Sequence, residues 1–371
     1  MTPPLAESSA LHERARAMVR AFEKRQPMPE SFDSLAADLA RFQAENVPGY
    51  SRLCAARGVD PRFISRASEA PAVPTDAFKV ARVFAFDERA AAVTFRTSGT
   101  TLGARGVHSM RDPETYDAAA LAFARAMLGI GAGPRAPVLV LGPPQDEAPD
   151  SSLAHMCALL SRELGAPETL DAYFVRDGRL NVAALRSRVR SLSPDRPTLV
   201  LATSFALVHL LDEIGGEALA LPRGSRVMQT GGFKGRSREV SAPELRASIA
   251  LTFSVPQRAI VSEYGMTELS SQFWEATLVD ERARPGIYAE PPWARVVVVD
   301  PETLAPVPDG AAGVARIEDL ANVDSAFAIV TQDQVRRASA GFELLGRLPG
   351  APPRGCSIAL DEILSGSESA P

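Results

Sequence analysis

The sequence predicts an α/β fold: a core built on a largely parallel sheet, a helical N-terminal segment packed on that core, and a smaller β-rich lobe. Three observations carry it. Short apolar β-type runs alternate with helical patterns from about Val93 to Tyr264. The first ninety residues repeat apolar side chains at helical spacing, and after about Arg284 the texture turns to paired strand-like runs around a Pro/Asp/Gly turn. Alternation of strand and helix is the signature of βαβ units, in which parallel strands are joined by crossover helices.

In chain order, Leu11, Ala15, Met18 and Phe22 form one core-facing stripe and Leu35, Leu39 and Phe42 a second, as expected of amphipathic helices. The strand candidates of the core are "PVLVLGPP", "PTLVLAT", "SRVMQTGG" and "RAIVSEYG", separated by helical patterns such as "SSLAHMCALLSREL" and "NVAALRSRVRSL". "ARVVVVDPETLAPVPDGAAGVARIEDL" reads as two strands of the lobe. The expected boundaries are 1–90 for the helical segment, 91–284 for the α/β core, 285–345 for the lobe and 346–371 for a hinge-like tail carrying Cys356. No internal repeat or low-complexity segment interrupts this order.

Composition removes several classes of function. A formal charge of -5 over 371 residues offers no basic field for nucleic acid. No apolar run is long enough to span a bilayer, and no secretory leader opens the chain, so the expected location is cytoplasmic. Cys54, Cys157 and Cys356 are too few and too scattered for a disulfide framework or a zinc site. Only Lys24, Lys79 and Lys234 among the forty basic residues are lysines, which gives weight to the lysine kept in "TGGFKGR".

Two loops following strands hold candidate chemistry. In "TSGTTLGARG", Thr97, Ser98, Thr100 and Thr101 offer hydroxyls, Gly99, Gly103 and Gly106 allow close backbone approach, and Arg105 adds a guanidinium. Such a loop suits phosphate oxygens and serves equally as a plain surface loop. It is not a GxxxxGK[ST] loop. In "SEYGMTE", Tyr264, Thr267 and Glu268 offer a ring, a hydroxyl and a carboxylate able to stack a base, touch phosphate and hold Mg2+; a tight turn with a solvated Glu268 is the plain reading. Lys234, with Gly231 and Gly232, either grips phosphate or substrate carboxylate or is a solvated turn lysine. Lys79 is expected to be structural, His155 and Cys157 to be core and boundary residues, and His108 to touch phosphate or lie at the surface.

The two loops in this order resemble those of the adenylate-forming superfamily, whose phosphate loop reads approximately TSGTTGxPKG and whose later motif reads YGxTE. Leu102 and Arg105 depart from the pattern. "TQD" with Asp333 and "GR" with Arg347 resemble the positions that contact ribose in that family. "AVPTDAFK", "TGGFKG" and "RGCS" carry a closer resemblance to the LuxE-type acyl-protein synthetases, which sit near the phenylacetate–CoA ligases. The resemblance implies a large domain of the N-terminal type with a β-rich lobe. The mobile C-terminal domain is expected to be absent, because the sequence ends 24 residues after Arg347. It also implies ATP and Mg2+ as cofactors, Glu268 as metal ligand, and Cys356 as acyl acceptor with Lys234 assisting. A carboxylic acid, most simply a fatty acid, is the implied substrate, and an acyl reductase or an acyl-carrier protein the implied partner. Two alternatives stay open: a ligase using coenzyme A or a carrier thiol, and a nucleotide-binding accessory protein without ligase activity.

Overall fold

The computed structural model describes residues 3–98, 104–131, 135–169, 172–231, 240–348 and 354–364. In chain order, helices α1 (Pro3–Glu23), α2 (Phe32–Asn46) and α3 (Tyr50–Ala56) precede β1 (Val73–Pro74), α4 (Ala77–Val80), β2 (Val93–Arg96), β3 (Val107–Met110) and α5 (Glu114–Met127). Next come β4 (Val138–Leu141), α6 (Ser152–Leu164), β5 (Val175–Arg176), β6 (Arg179–Leu180), α7 (Val182–Arg190), β7 (Leu199–Thr203), α8 (Ser204–Ile214), β8 (Arg226–Thr230), α9 (Ala242–Phe253) and β9 (Ile260–Tyr264). The remainder is β10 (Phe273–Glu275), β11 (Ile287–Ala289), β12 (Ala294–Val299), β13 (Ala312–Asp319), β14 (Ala328–Ala338), β15 (Gly341–Arg347) and α10 (Arg354–Leu364). The chain divides into one unit of Met1–Ala122, Met266–Gln272 and Ala289–Pro371, and a second of Phe123–Gly265 and Phe273–Tyr288.

In the second unit β4, β7, β8 and β9 run parallel in that spatial order, and β10 adds antiparallel to β9. Buried on both faces, the strands read as continuous apolar runs such as "VLVL". Leu185, Leu207, Leu210, Ile249 and Phe253 from α7, α8 and α9 pack with Val200, Val227 and Ile260 of the strands into a buried cluster. Helix starts are marked by side-chain caps: Ser151 on α6, Thr203 on α8, and a Ser241–Glu244 capping box on α9. The carboxyl ends of the parallel strands therefore present Thr203, Thr230 and Tyr264, where ligands gather in such sheets.

In the first unit β12, β13, β14 and β15 form an antiparallel meander, with β1 pairing parallel to β14. The α1 stripe buries Leu11, Ala15 and Met18 and sets the half-buried Phe22 edge-on to Trp293 at 5.5 Å; α2 buries Leu35, Leu39 and Phe42. Gln43 of α2 donates to the carbonyls of Asn322 and Val323 at 2.8 and 2.9 Å and accepts from the Phe327 amide. This polar clamp fixes the connection between β13 and β14. Among the described residues, no helix is long and apolar enough to cross a membrane.

Candidate active site

The first unit carries the hydroxyl-rich loop and the carboxylate. Strands β2 and β3 pair antiparallel, with Arg96 opposite Val107. Their mouth is closed by Thr97, whose amide donates to the Gly106 carbonyl at 3.0 Å and whose Oγ1 accepts from the Gly106 amide at 2.8 Å. The guanidinium of Arg105 donates to the carbonyls of Thr97 (2.6 Å) and Arg96 (3.1 Å), so in this structure it braces the base of its own loop. Gly106 gives room where room matters: a Cβ there would sit 2.9 Å from Thr97 Cγ2 and 3.5 Å from Glu268 Oε1. Thr97, Gly106 and Glu268 thus meet, while Gly99, Thr100 and Thr101 lie outside the described residues.

Glu268 is buried, and the loop bearing it is held by three residues that sequence reasoning missed or misplaced. His108 is neither a phosphate contact nor a surface residue: it is buried on β3 beside Phe78, and its Nδ1–H donates to the Thr267 carbonyl at 2.7 Å. Burial lowers its pKa to about 4, so the ring is neutral at physiological pH. Asp319, at the end of β13, accepts from the amides of Ser270 and Ser271 (2.9 and 2.8 Å) and from the Ser271 hydroxyl (2.6 Å). Asn322 donates to the Glu268 carbonyl at 2.8 Å and accepts from the Ser270 hydroxyl at 2.6 Å. A loop pinned at several backbone groups by buried hydrogen bonds is pre-organised for a ligand.

The strand pairing places Asp333 of β14 directly opposite Arg347 of β15. Behind them, Gln332 donates to Asp76 at 2.8 Å, and Asp76 pairs with Lys79 at 2.5 Å, both nearly buried. Lys79 is accordingly a structural lysine.

The second unit carries Gly231 and Tyr264. Gly231 follows β8 at φ 76, a left-handed conformation that favours glycine, and its carbonyl accepts from the Ser204 hydroxyl at 2.7 Å. Tyr264 ends β9, its ring 6.1 Å from Phe273 and 5.9 Å from Tyr288. One residue earlier, Glu263 accepts a hydrogen bond from Thr230, and burial pushes its carboxyl up to about 7. Glu263 was not singled out in the sequence because it hides within the "SEYG" run beside more familiar residues. Deeper in this unit, Arg246 pairs with Glu275 at 2.5 Å with both side chains buried. Phe205 is exposed, and Thr203 caps α8. Gly232 and Lys234 lie outside the described residues.

Among the described residues no cluster of three or more His, Cys, Asp or Glu could hold a metal. A single carboxylate from Glu268 still suits Mg2+, which commonly uses one or two carboxylates together with substrate phosphates. Of the cysteines, Cys54 and Cys157 are buried, and burial pushes their thiols up to about 11 and about 12. The backbone of Cys356 lies in the first turn of α10.

A parallel α/β unit and a β-meander unit give the chain the fold of the adenylate-forming ligases, with the hydroxyl-rich hairpin loop and the braced carboxylate of Glu268 in the first unit. The chain belongs to the acyl-protein synthetase, LuxE family, whose model matches residues 11–365. It is therefore an enzyme of the ligase class. A curated relative is the long-chain-fatty-acid–luciferin-component ligase of Vibrio harveyi, 22% identical over 341 residues, which cover 88% of this chain and 86% of the relative. In fold the chain is similar to 2-hydroxyisobutyryl-CoA ligase crystallised in an open conformation with 2-HIB-AMP and CoA: 14% identity, TM-score 0.62, 85% of this chain and 69% of that one. The same ligase in its thioester-forming state gives 16% identity and a TM-score of 0.61, over 85% and 68% of the two chains.

Proposed function

We propose that the protein activates a carboxylic acid, most simply a fatty acid, with ATP and Mg2+ and then carries the acyl group on Cys356. A carboxylate oxygen attacks the α-phosphorus of ATP, pyrophosphate leaves, and acyl-AMP remains. The Cys356 thiolate then attacks the acyl carbonyl, AMP is expelled, and a thioester results, ready for delivery to a partner such as an acyl reductase. Thr97, Ser98, Gly99, Thr100, Thr101 and Arg105, with Gly231 and Gly232, line the phosphates in this reading. Tyr264 and Thr267 face the nucleotide, and Asp333 and Arg347 hold the ribose. Glu268 would hold Mg2+ with the phosphate oxygens, where the ion neutralises charge that builds during transfer. Lys234 supplies a cation to the carboxylate or the phosphates.

The observation that carries the thioester step is the sorting of the cysteines. Two have thiols pushed far above neutrality by burial, whereas Cys356 sits in the first turn of an eleven-residue helix, a position at which the helix dipole favours thiolate. The test is intact-protein mass spectrometry after incubation with Mg-ATP and a panel of fatty and aromatic acids, comparing wild type with Cys356→Ser. An acyl adduct that the variant loses is expected, and the retained mass names the acid. Pyrophosphate release without any adduct would instead assign the acyl group to an external thiol, and no pyrophosphate from any acid would leave the protein a nucleotide binder.

A further inference from the structure

A cavity of about 200 Å³ lies in the first unit, apart from every residue assigned above. Leu53, Val59, Ala70, Pro71, Val299 and Leu304 supply much of its wall, and Ala359 of α10 closes one side. Ser68 also lines it, and its other polar neighbours are already committed. Arg57 pairs with Glu362 at 2.7 Å, and Arg316 pairs with Glu318 at 3.0 Å while donating to the carbonyls of Ala67 and Ala70. Glu69 accepts from Ser65 and Arg66, and Thr303 donates to Asp300. With both guanidinium groups paired, the cavity offers no unclaimed cation to an anionic ligand. More than half of its exposed wall is apolar.

Its position says what that wall is for. Helix α10 is docked beside the cavity: Arg52 donates twice to the Ile363 carbonyl, and Ile363 rests on Gly49, where a Cβ would come within 2.8 Å of its Cγ2. Along α10 Cys356 precedes Ala359 by three residues and Ile363 by seven, so their backbone positions fall on one side of the helix, with about 4.5 Å of rise between Cys356 and Ala359. Leu304 strengthens the case, since it holds φ 58, a left-handed conformation costly for a branched side chain, while contributing to the cavity wall.

We infer that this cavity receives the acyl chain once it is esterified to Cys356, a resting site for the acyl-enzyme. The inference rests on the acyl-transfer reading above. An apolar cavity of about 150 Å³ takes a six-carbon ring, so this one suits roughly the first eight carbons of a straight chain. The thioester carbonyl would lie near the helix and the alkyl segment against Leu53, Val59 and Leu304. Burial of that segment holds the thioester back from water until a partner takes the acyl group.

The experiment follows the lifetime of the acyl adduct by intact-protein mass spectrometry, after loading with ATP and dodecanoic acid and then removing ATP. Val59→Trp fills the cavity. Leu304→Gly removes part of its wall and relieves the left-handed backbone, so it does not endanger folding. Both variants are expected to lose the dodecanoyl group roughly tenfold faster than wild type, the effect of leaving about two methylenes unburied, and to lose a butanoyl group at a rate much closer to wild type. Equal dodecanoyl lifetimes in all three proteins would overturn the resting site while leaving acylation of Cys356 standing. Absence of an adduct from wild type that does release pyrophosphate would overturn the acylation itself and the resting site with it.

Discussion

Replacing Glu263 by Gln should make the protein more stable, and only above mildly acidic pH. In the folded chain burial raises the carboxyl from its ordinary 4.5 to about 7, whereas an unfolded chain ionises it freely. Below pH 4.5 both states are protonated and the residue imposes no penalty. Between 4.5 and 7 the unfolded state gives up its proton while the folded state keeps it, so stability falls as pH rises, and above 7 the deficit is constant. Each tenfold change in proton affinity is worth about 1.4 kcal/mol, which sets the deficit at about 3 kcal/mol at pH 8 and under about 1 kcal/mol at pH 5. Glutamine keeps an oxygen for the Thr230 hydroxyl and cannot ionise. For a unit of this size each kcal/mol moves Tm by about 2–4 °C, so Glu263→Gln should melt roughly 6–12 °C above wild type at pH 8 and within about 4 °C of it at pH 5. Calorimetric scans at the two pH values measure this. The same difference at both would refute the reasoning, because it would mean that Glu263 titrates alike in the folded and unfolded chains.

Two further predictions concern the Glu268 loop. Asn322→Ala leaves the buried Glu268 carbonyl without one of its donors, at a stability cost of about 1–3 kcal/mol. ATP-dependent pyrophosphate release should fall about tenfold or more at low Mg2+ and recover in part at high Mg2+, as steady-state titrations would report. Gly106→Ala puts a methyl against Thr97 and beside Glu268 Oε1; it should raise the KM for Mg-ATP at least severalfold while thermal melting changes by about 1 kcal/mol or less.

The strands were legible because both faces of β4, β7, β8 and β9 are buried, which writes uninterrupted apolar runs into the chain. The stripes of α1 and α2 were legible for the complementary reason, one buried face at helical spacing. Asp333 and Arg347 stand fourteen residues apart in sequence and become neighbours only through the β14–β15 pairing, so resemblance flagged them before geometry joined them. The braces of the Glu268 loop were not legible. Asp319 and Asn322 sit in "EDLANVDS", which reads as a polar turn, and their partners lie about fifty residues away. Nothing local tells a buried acceptor from a solvated one. Arg105 drew attention to phosphate by its charge, and in this structure its guanidinium donates to the nearby Thr97 and Arg96 carbonyls. The tail, expected as a hinge-like segment, contains a helix docked on α3 through Arg52, Arg57 and Gly49, with Ala359 and Ile363 at core spacing.

The braces also bear on how a metal would enter. A site with several converging carboxylates binds a free cation well, because the charges repel one another until it arrives. Here Asp319 spends its oxygens on amides and a hydroxyl, and Glu268 belongs to no cluster of three or more His, Cys, Asp or Glu among the described residues. One or two carboxylates compete poorly with water for free Mg2+, so in the proposed reaction the phosphates would supply the other charged ligands. Nucleotide and metal would therefore bind as one species, with affinity for each depending on the other. The loop's rigidity then does the remaining work, holding Glu268 where the complex will need it so that little ordering is left to be done on binding.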